Sequence, residues 1–558
     1  MTTAVTLADE FVEVLFDAYP TYATLLGIRG RDDQLTDYSE AGDAATGRAL
    51  ADLETRAAAL DPATLDPADR VTLAVMLELA RAARDRLASR QVEYTVTDLF
   101  TAPVAELLTS LPMISIAEPD HADGYLARLS RLPTALGDIG DRHRTGVAAG
   151  RLPVRHLVAA AVAQLDRYLS NPDNDALRRP EPPPGGPVDV AAFRTARDAL
   201  LSDVVRPALA RYRDLLIAEI EPHGRPADRA GLCWLPGGET TYAQLVRAYT
   251  TTDRTADELH RTGLELAERL SREYSEIGAE AFGVSDPAVV MGRLRADPAL
   301  RWGDGEELLA AARTAIGRAE EAAPRWFGRL PGHRCVVEPV PADDAPGAPG
   351  AYYMPPAMDG TRPGTYFANT YRATERHRHI SEATAFHEAV PGHHFQITIA
   401  QELTDLPLLR RVAPITAYEE GWGLYSERLA DEMGLYSGPV ARLGMLNEDS
   451  MRAARLVVDT GLHAQGWSRQ QAVDYMRTAT PMAQVEIESE VDRYIADPGQ
   501  ALAYMVGRLE IQRIRADAAR RLGERFDIRG FHDTVLGGGP LPLTVLSEVV
   551  AEWAVTNR

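Results

Sequence analysis

Thr384-Ala-Phe-His387-Glu388-Ala-Val-Pro391-Gly392-His393-His394-Phe-Gln396 is the stretch on which the reading of this chain turns. His followed by Glu on a helix, with another His further along, is the arrangement of a zinc hydrolase. Two imidazoles hold the metal and the Glu takes a proton from water. In the common form the second His stands four residues after the first. Here His393 and His394 stand six and seven residues after His387. On a straight helix His394 points the same way as His387 but lies about 10.5 Å further along the axis. Zinc–nitrogen bonds are about 2.0–2.1 Å, so that stagger excludes a shared ion. The helix is therefore expected to bulge at Pro391 and Gly392. Proline lacks an amide hydrogen and clashes with the carbonyl four residues back, that of His387. Glycine accepts backbone angles that other residues refuse. A bulge absorbing two residues brings His393 to the second ligand position, with His394 as the alternative.

The stretch resembles a mostly bacterial family known as domain of unknown function 885, grouped with the zinc-peptidase-like proteins. The order His-Glu-x-Gly-His is common in zinc peptidases, and His387 to His393 looks like that core with two residues inserted. A second stretch, Tyr418-Glu419-Glu420-Gly421-Trp422-Gly-Leu-Tyr-Ser-Glu427, is similar to the element by which one gluzincin branch supplies a third, glutamate ligand. The resemblance implies Glu420 as that ligand; Glu419 competes, but its side chain projects about 100° away on a helix. Glu427 follows two turns later on the same face and suits a partner for a ligand imidazole, as His394 does if His393 is the ligand. Further segments similar to the family are Thr250–Thr255, Asp359–Gly364, Asp459–Ser468 and Pro498–Tyr504.

The 558 residues suffice for a large core and more than one lobe. Hydrophobic residues make up 45% and charged residues 25%, as in ordinary globular chains. The formal net charge of −22 argues against a nucleic-acid partner, whose phosphates need a basic face. Two cysteines, Cys233 and Cys335, exclude a disulfide scaffold and disfavour a thiolate metal site. The start has no basic region with an apolar run, and no apolar stretch suits a membrane span. A cytoplasmic protein without membrane contact is the expectation.

The expected fold is mainly α: two helical lobes, residues 1–235 and 236–558, with a small sheet that the resemblance to gluzincins places beside the metal-binding helix. Phe11, Val14, Leu15, Ala18 and Tyr19 suggest the apolar face of a first helix. Asp66-Pro67-Ala-Asp69 reads as a helix start, and Thr255–Glu258 and Ser468–Gln471 read as capping boxes. A helix over residues 191–221 is expected to kink at Pro207. Residues 335–341, 350–355 and 363–369 are the strand candidates. The polar run Arg376-His-Arg-His379 reads as surface.

Further residues carry two readings each. Tyr504 is a candidate phenol for stabilising a tetrahedral intermediate, as in many gluzincins, or a core tyrosine. His463 suits an oxyanion donor or a packing role. Arg493 beside Tyr494, and Arg362, suit a clamp on a substrate carboxylate or surface ion pairs. The function expected is zinc-dependent hydrolysis of a peptide or amide substrate. Zn2+ sits on His387, His393 and Glu420, and Glu388 is the general base. A metal-dependent hydrolase or lyase of a small metabolite, and a non-catalytic binding protein, are the competing readings.

Overall fold

The computed structural model describes residues 3–342, 345, 348–358 and 362–557; residues 359–361 of the Asp359–Gly364 segment lie outside that set. The chain is mainly α-helical, with one three-stranded sheet. Local chemistry sets many helix ends. The Asp66 carboxylate accepts from the Asp69 amide, with Pro67 in the first turn. Thr255 and Glu258 cap helix Ala256–Phe282 reciprocally, and Ser468 and Gln471 do so for Arg469–Ala479. Each such pair satisfies two amides that the helix itself leaves unbonded.

Two expectations change, and a third gains its local geometry. In the first helix, Ala4–Ala18, the buried stripe is Ala4, Leu7, Ala8, Phe11, Val12 and Phe16. It is rotated from the face through Val14 and Tyr19, because Leu7 and Phe16 offer more apolar area; Tyr19 is 46% exposed. The helix expected to kink at Pro207 is distorted just ahead of that residue. It passes through a π turn, Leu201–Val205, in which the Arg206 amide reaches back to Leu201 O. That wider turn accommodates the donor that proline lacks. His379, expected at the surface, is buried, and burial holds its imidazole pKa down to about 4.

The apolar interior falls into clusters. Residues Ala4–Tyr94 pack with residues from Leu232 to Ala554, whereas residues from Val96 to Ile220 form a second core. The division into 1–235 and 236–558 thus cuts across the larger cluster. The sheet comprises β1 (Val336–Pro339), β2 (Ala351–Met354) and β3 (Thr365–Ala368), in order β1-β3-β2. β1 runs parallel and β2 antiparallel to β3. β2 is therefore an edge strand, anchored to β3 partly by Tyr352 stacked on Phe367 at 5.2 Å.

Behind the sheet, helix Ser381–Glu388 rests against helices Gly305–Ala322, Thr416–Glu432 and Pro439–His463. Helix Thr416–Glu432 lies along Ala503–Leu522 with glycines at the crossing. A Cβ on Gly507 would stand 1.9 Å from Ala417 O and 2.6 Å from Gly421 Cα. This pair of helices fixes where Glu420 and Tyr504 stand. Gly507→Ala should therefore destabilise the fold by about 1–3 kcal/mol through forced separation of the helices. Guanidinium unfolding measures this, and an unchanged midpoint would contradict the close crossing.

Candidate metal centre

The helix that starts at Ser381 ends at Glu388, and a new helix, His393–Glu402, starts on the far side of a tight turn. The expected bulge is thus a complete break. Ala389 leaves the helix with φ −109 and ψ −96, and the Val390–Pro391 peptide is cis. The turn is held from the neighbouring helix: Trp422 Nε1 donates to Pro391 O at 2.9 Å and Ser426 Oγ donates to the same carbonyl at 3.3 Å. Gly392 has φ −79, so it is not there for a left-handed conformation. Its role is close approach, since a Cβ would lie 1.8 Å from His387 O. The turn folds the second helix back, so that His393, its first residue, faces His387.

The two imidazoles stand edge to face, ring centres 4.8 Å apart and planes at 88°. Glu420 reaches both: its Oε2 is 3.4 Å from His387 Nε2 and 3.5 Å from His393 Nε2. His387 Nδ1 lies 2.8 Å from Glu427 Oε1, a carboxylate with no exposed surface. Nδ1 therefore donates, and Nε2 is left aimed at Glu420. Gly423 gives that ring its place, because a Cβ there would meet His387 Nε2 at 2.8 Å. Burial alone would depress the His387 pKa, but the Glu420 and Glu427 carboxylates overcome it and lift the value to about 10. Burial also works against a charged Glu420, yet the two imidazoles hold it well below the usual carboxylate range. Imidazole and carboxylate in the cluster thus each favour the other's charged form.

His387, His393 and Glu420 are the one group among the described residues able to hold a metal, their ligand atoms all within 4.8 Å of one another. The residues fit zinc. Ligands at about 2.0–2.1 Å in a tetrahedron are separated by about 3.3–3.4 Å. The 3.4 and 3.5 Å gaps match that edge and exceed the ~2.9 Å of an ordinary N–H···O bond. Two nitrogens and one carboxylate oxygen are also a usual zinc donor set. His394 is otherwise engaged. Its Nε2 donates to His333 O at 2.9 Å, so Nδ1 accepts from Tyr353 Oη, also at 2.9 Å.

The cluster opens into a cavity of about 340 Å³ lined by Tyr352, Tyr353, His387, Glu388, His393, Ile397, Glu419, Glu420, Arg452, Arg455 and Tyr504. Glu388 stands on its wall, held by the Tyr353 amide, which donates to Oε2 at 3.1 Å. That amide points away from β3, so the free edge of β2 faces the site. Glu419 shares the cavity despite its different helical direction, and burial pushes its pKa up to about 7.

Other sequence candidates stand elsewhere. His463 is wholly buried at the end of helix Pro439–His463. Its Nδ1 accepts from the Leu232 amide at 3.1 Å and Nε2 donates to Tyr494 O at 3.0 Å, so both nitrogens are committed to backbone and none is left for an oxyanion. Tyr494 is buried too; its hydroxyl donates to Glu490 Oε2 at 2.5 Å. Arg493 forms the ion pair rather than the clamp, bonding Glu490 at 3.1 Å and Gln500 at 2.7 Å. Arg362 is exposed and not part of the cavity lining, although its charge acts on Tyr353. Sequence reasoning missed Tyr353, Arg452 and Arg455. The signal for the arginines was present: two cations in the otherwise apolar run Ala453-Ala454 and Leu456-Val457-Val458.

No curated protein matches the chain. Among solved structures, a candidate lipoprotein from Colwellia psychrerythraea shares 27% identity, with a TM-score of 0.90 and all of both chains covered. A candidate lipoprotein of unknown function from Shewanella oneidensis shares 18% identity at a TM-score of 0.75, covering 99% of this chain and 100% of its own. No helix among the described residues is long and apolar enough to cross a membrane. Residues 20–550 match a single family model, and with that span nearly the whole chain belongs to the bacterial proteins of unknown function called DUF885.

Proposed function

We propose that this protein is a zinc-dependent hydrolase of peptide or amide bonds. The observation that carries this conclusion is the tetrahedral-edge spacing of His387 Nε2 and His393 Nε2 about Glu420 Oε2, with Glu388 beside it on the cavity wall. Structural zinc sites normally have four protein ligands; three leave a position for water or substrate. A zinc ion held there supplies Lewis acidity and brings the pKa of water towards ~7.

The chain's own groups do the rest. Glu388, oriented by the Tyr353 amide, accepts the proton of the attacking water and returns it to the leaving nitrogen. Tyr504 reaches the cavity as a phenol whose pKa is raised by burial and by the Glu420 charge. It stays protonated and donates to the oxygen that gains charge as the carbonyl is attacked. The edge of β2 offers backbone groups on either side of Tyr353 to an extended peptide, which binds as an added strand.

Zinc analysis of purified variants tests the ligand set. Wild type should carry about one zinc per chain, and His393→Ala should lose most of it, since two ligands make a weak site. His394→Ala should keep its zinc; the reverse pattern would reassign the ligand.

Gly392→Ala changes no ligand, yet should lower zinc affinity by driving the His387 carbonyl away. Competition with a chelator measures this, and wild-type affinity would show the turn to be dispensable.

Glu388→Gln keeps shape but accepts no proton at neutral pH. Activity on a peptide library should fall about 10²-fold or more while zinc and folding are retained. Wild-type rates in this variant would remove Glu388 as the base.

A further inference from the structure

Arg452 and Arg455 line the metal cavity alongside His387, His393, Glu388 and Tyr504, yet nothing in the hydrolytic step above uses them. Both are more than nine-tenths buried, at 8% and 5% exposure. They lie three residues apart, on one face of helix Pro439–His463. Arg455 is locked in place. Its Nη2 donates to Glu490 Oε2 at 2.9 Å, Nε donates to Tyr494 Oη at 3.1 Å, and its guanidinium carbon stands 4.5 Å from the centre of the Tyr504 ring. Its Nη1 has no hydrogen-bond partner among the described residues. Arg452 is paired with Glu448 through Nη1, while its Nε has no hydrogen-bond partner among the described residues. Arg493 shares Glu490 with Arg455. Three guanidiniums are thus bonded to two carboxylates, with the Glu427 charge also acting on Arg452, in a setting where each buried charge needs its match. Two buried N–H groups are thus left unbonded among the described residues, on planar, preorganised side chains that line a cavity of about 340 Å³.

We propose that Arg455, seconded by Arg452, forms an anion subsite of the metal cavity that takes the free C-terminal carboxylate of a short peptide. This rests on the hydrolase conclusion and narrows it to cleavage near the carboxyl end. A planar guanidinium matches a carboxylate in shape as well as charge. The cavity is at the small end of ligand pockets, about 300–1,000 Å³, a size that accommodates the end of a short peptide. Tyr504 lies against Arg455 and also senses the charge of Glu420, so it bridges the anion subsite and the metal cluster. Arg493, the clamp suggested by sequence, serves instead to hold Glu490, which steadies Arg455.

The test is binding, measured by calorimetry on the full-length Glu388→Gln protein as purified. The probes are an N-acetylated random tripeptide pool with free C-termini, the same pool amidated, and an amidated pool enriched in Asp and Glu. The free-acid pool should bind roughly 10- to 100-fold tighter than the amidated pool, as loss of a charge-assisted hydrogen bond predicts. Arg455→Lys, which keeps the charge and removes the fork, should erase most of that difference while leaving affinity for the amidated pool little changed, with its thermal melt confirming that the variant is folded at the assay temperature. Equal affinity for the acid and amidated pools, or no binding of either, overturns the subsite. Tight binding of the acidic amidated pool overturns its assignment to the C-terminus. Cleavage of doubly blocked peptides by wild type with no preference for free ends would sink this inference and leave the hydrolase standing. A clear preference for the free-acid pool without cleavage of any peptide would do the opposite.

Discussion

The contact on which the site depends is the Glu420 carboxylate set between two imidazoles at distances too long for ordinary hydrogen bonds. His387 and Glu420 each carry a burial cost where they stand. His387 is buried, and Glu427 behind it has no exposed surface. Carboxylates that close to imidazoles ask for positive charge, and protonation of His387 is one way to provide it. The gaps of 3.4 and 3.5 Å suit a cation at the centre better than protons on the rings.

Much of the surrounding structure serves to hold that spacing. Trp422 and Ser426 fix the turn carbonyl of Pro391, so the helix that supplies Glu420 also positions the turn that supplies His393. Gly423 allows His387 to lie against the same helix, and Gly421 lets that helix lie against the one carrying Tyr504. The short stretch Glu420-Gly-Trp-Gly thus contributes the carboxylate between the imidazoles, a bed for His387, a clamp on the turn and a close helix crossing. Replacing any of these glycines by a larger residue acts on the site without touching its chemistry.

What was legible in the sequence was local. The capping boxes at Thr255 and Ser468, and strands within a residue or two of β1, β2 and β3, follow from neighbours in the chain. So does the presence of His387, His393 and Glu420 in recognisable surroundings. The choices that spacing left open turn on distant groups. A bulge and a break both shorten the distance from His387 to His393, and Trp422 is what holds the break. His394 is claimed by the carbonyl of His333, and His463 by the amide of Leu232. Arg493 looked like the clamp because it neighbours Tyr494. Arg455, nearly forty residues earlier, reaches the cavity only because its helix runs beneath it.

The most direct measurement is a diffraction experiment on zinc-loaded crystals, with data on both sides of the zinc absorption edge. The account predicts one strong anomalous peak bonded to His387 Nε2, His393 and Glu420 at about 2.0–2.2 Å, with Glu388 near it and not bonded. A peak held by His394, or no peak between His387 and Glu420 after loading, would contradict it.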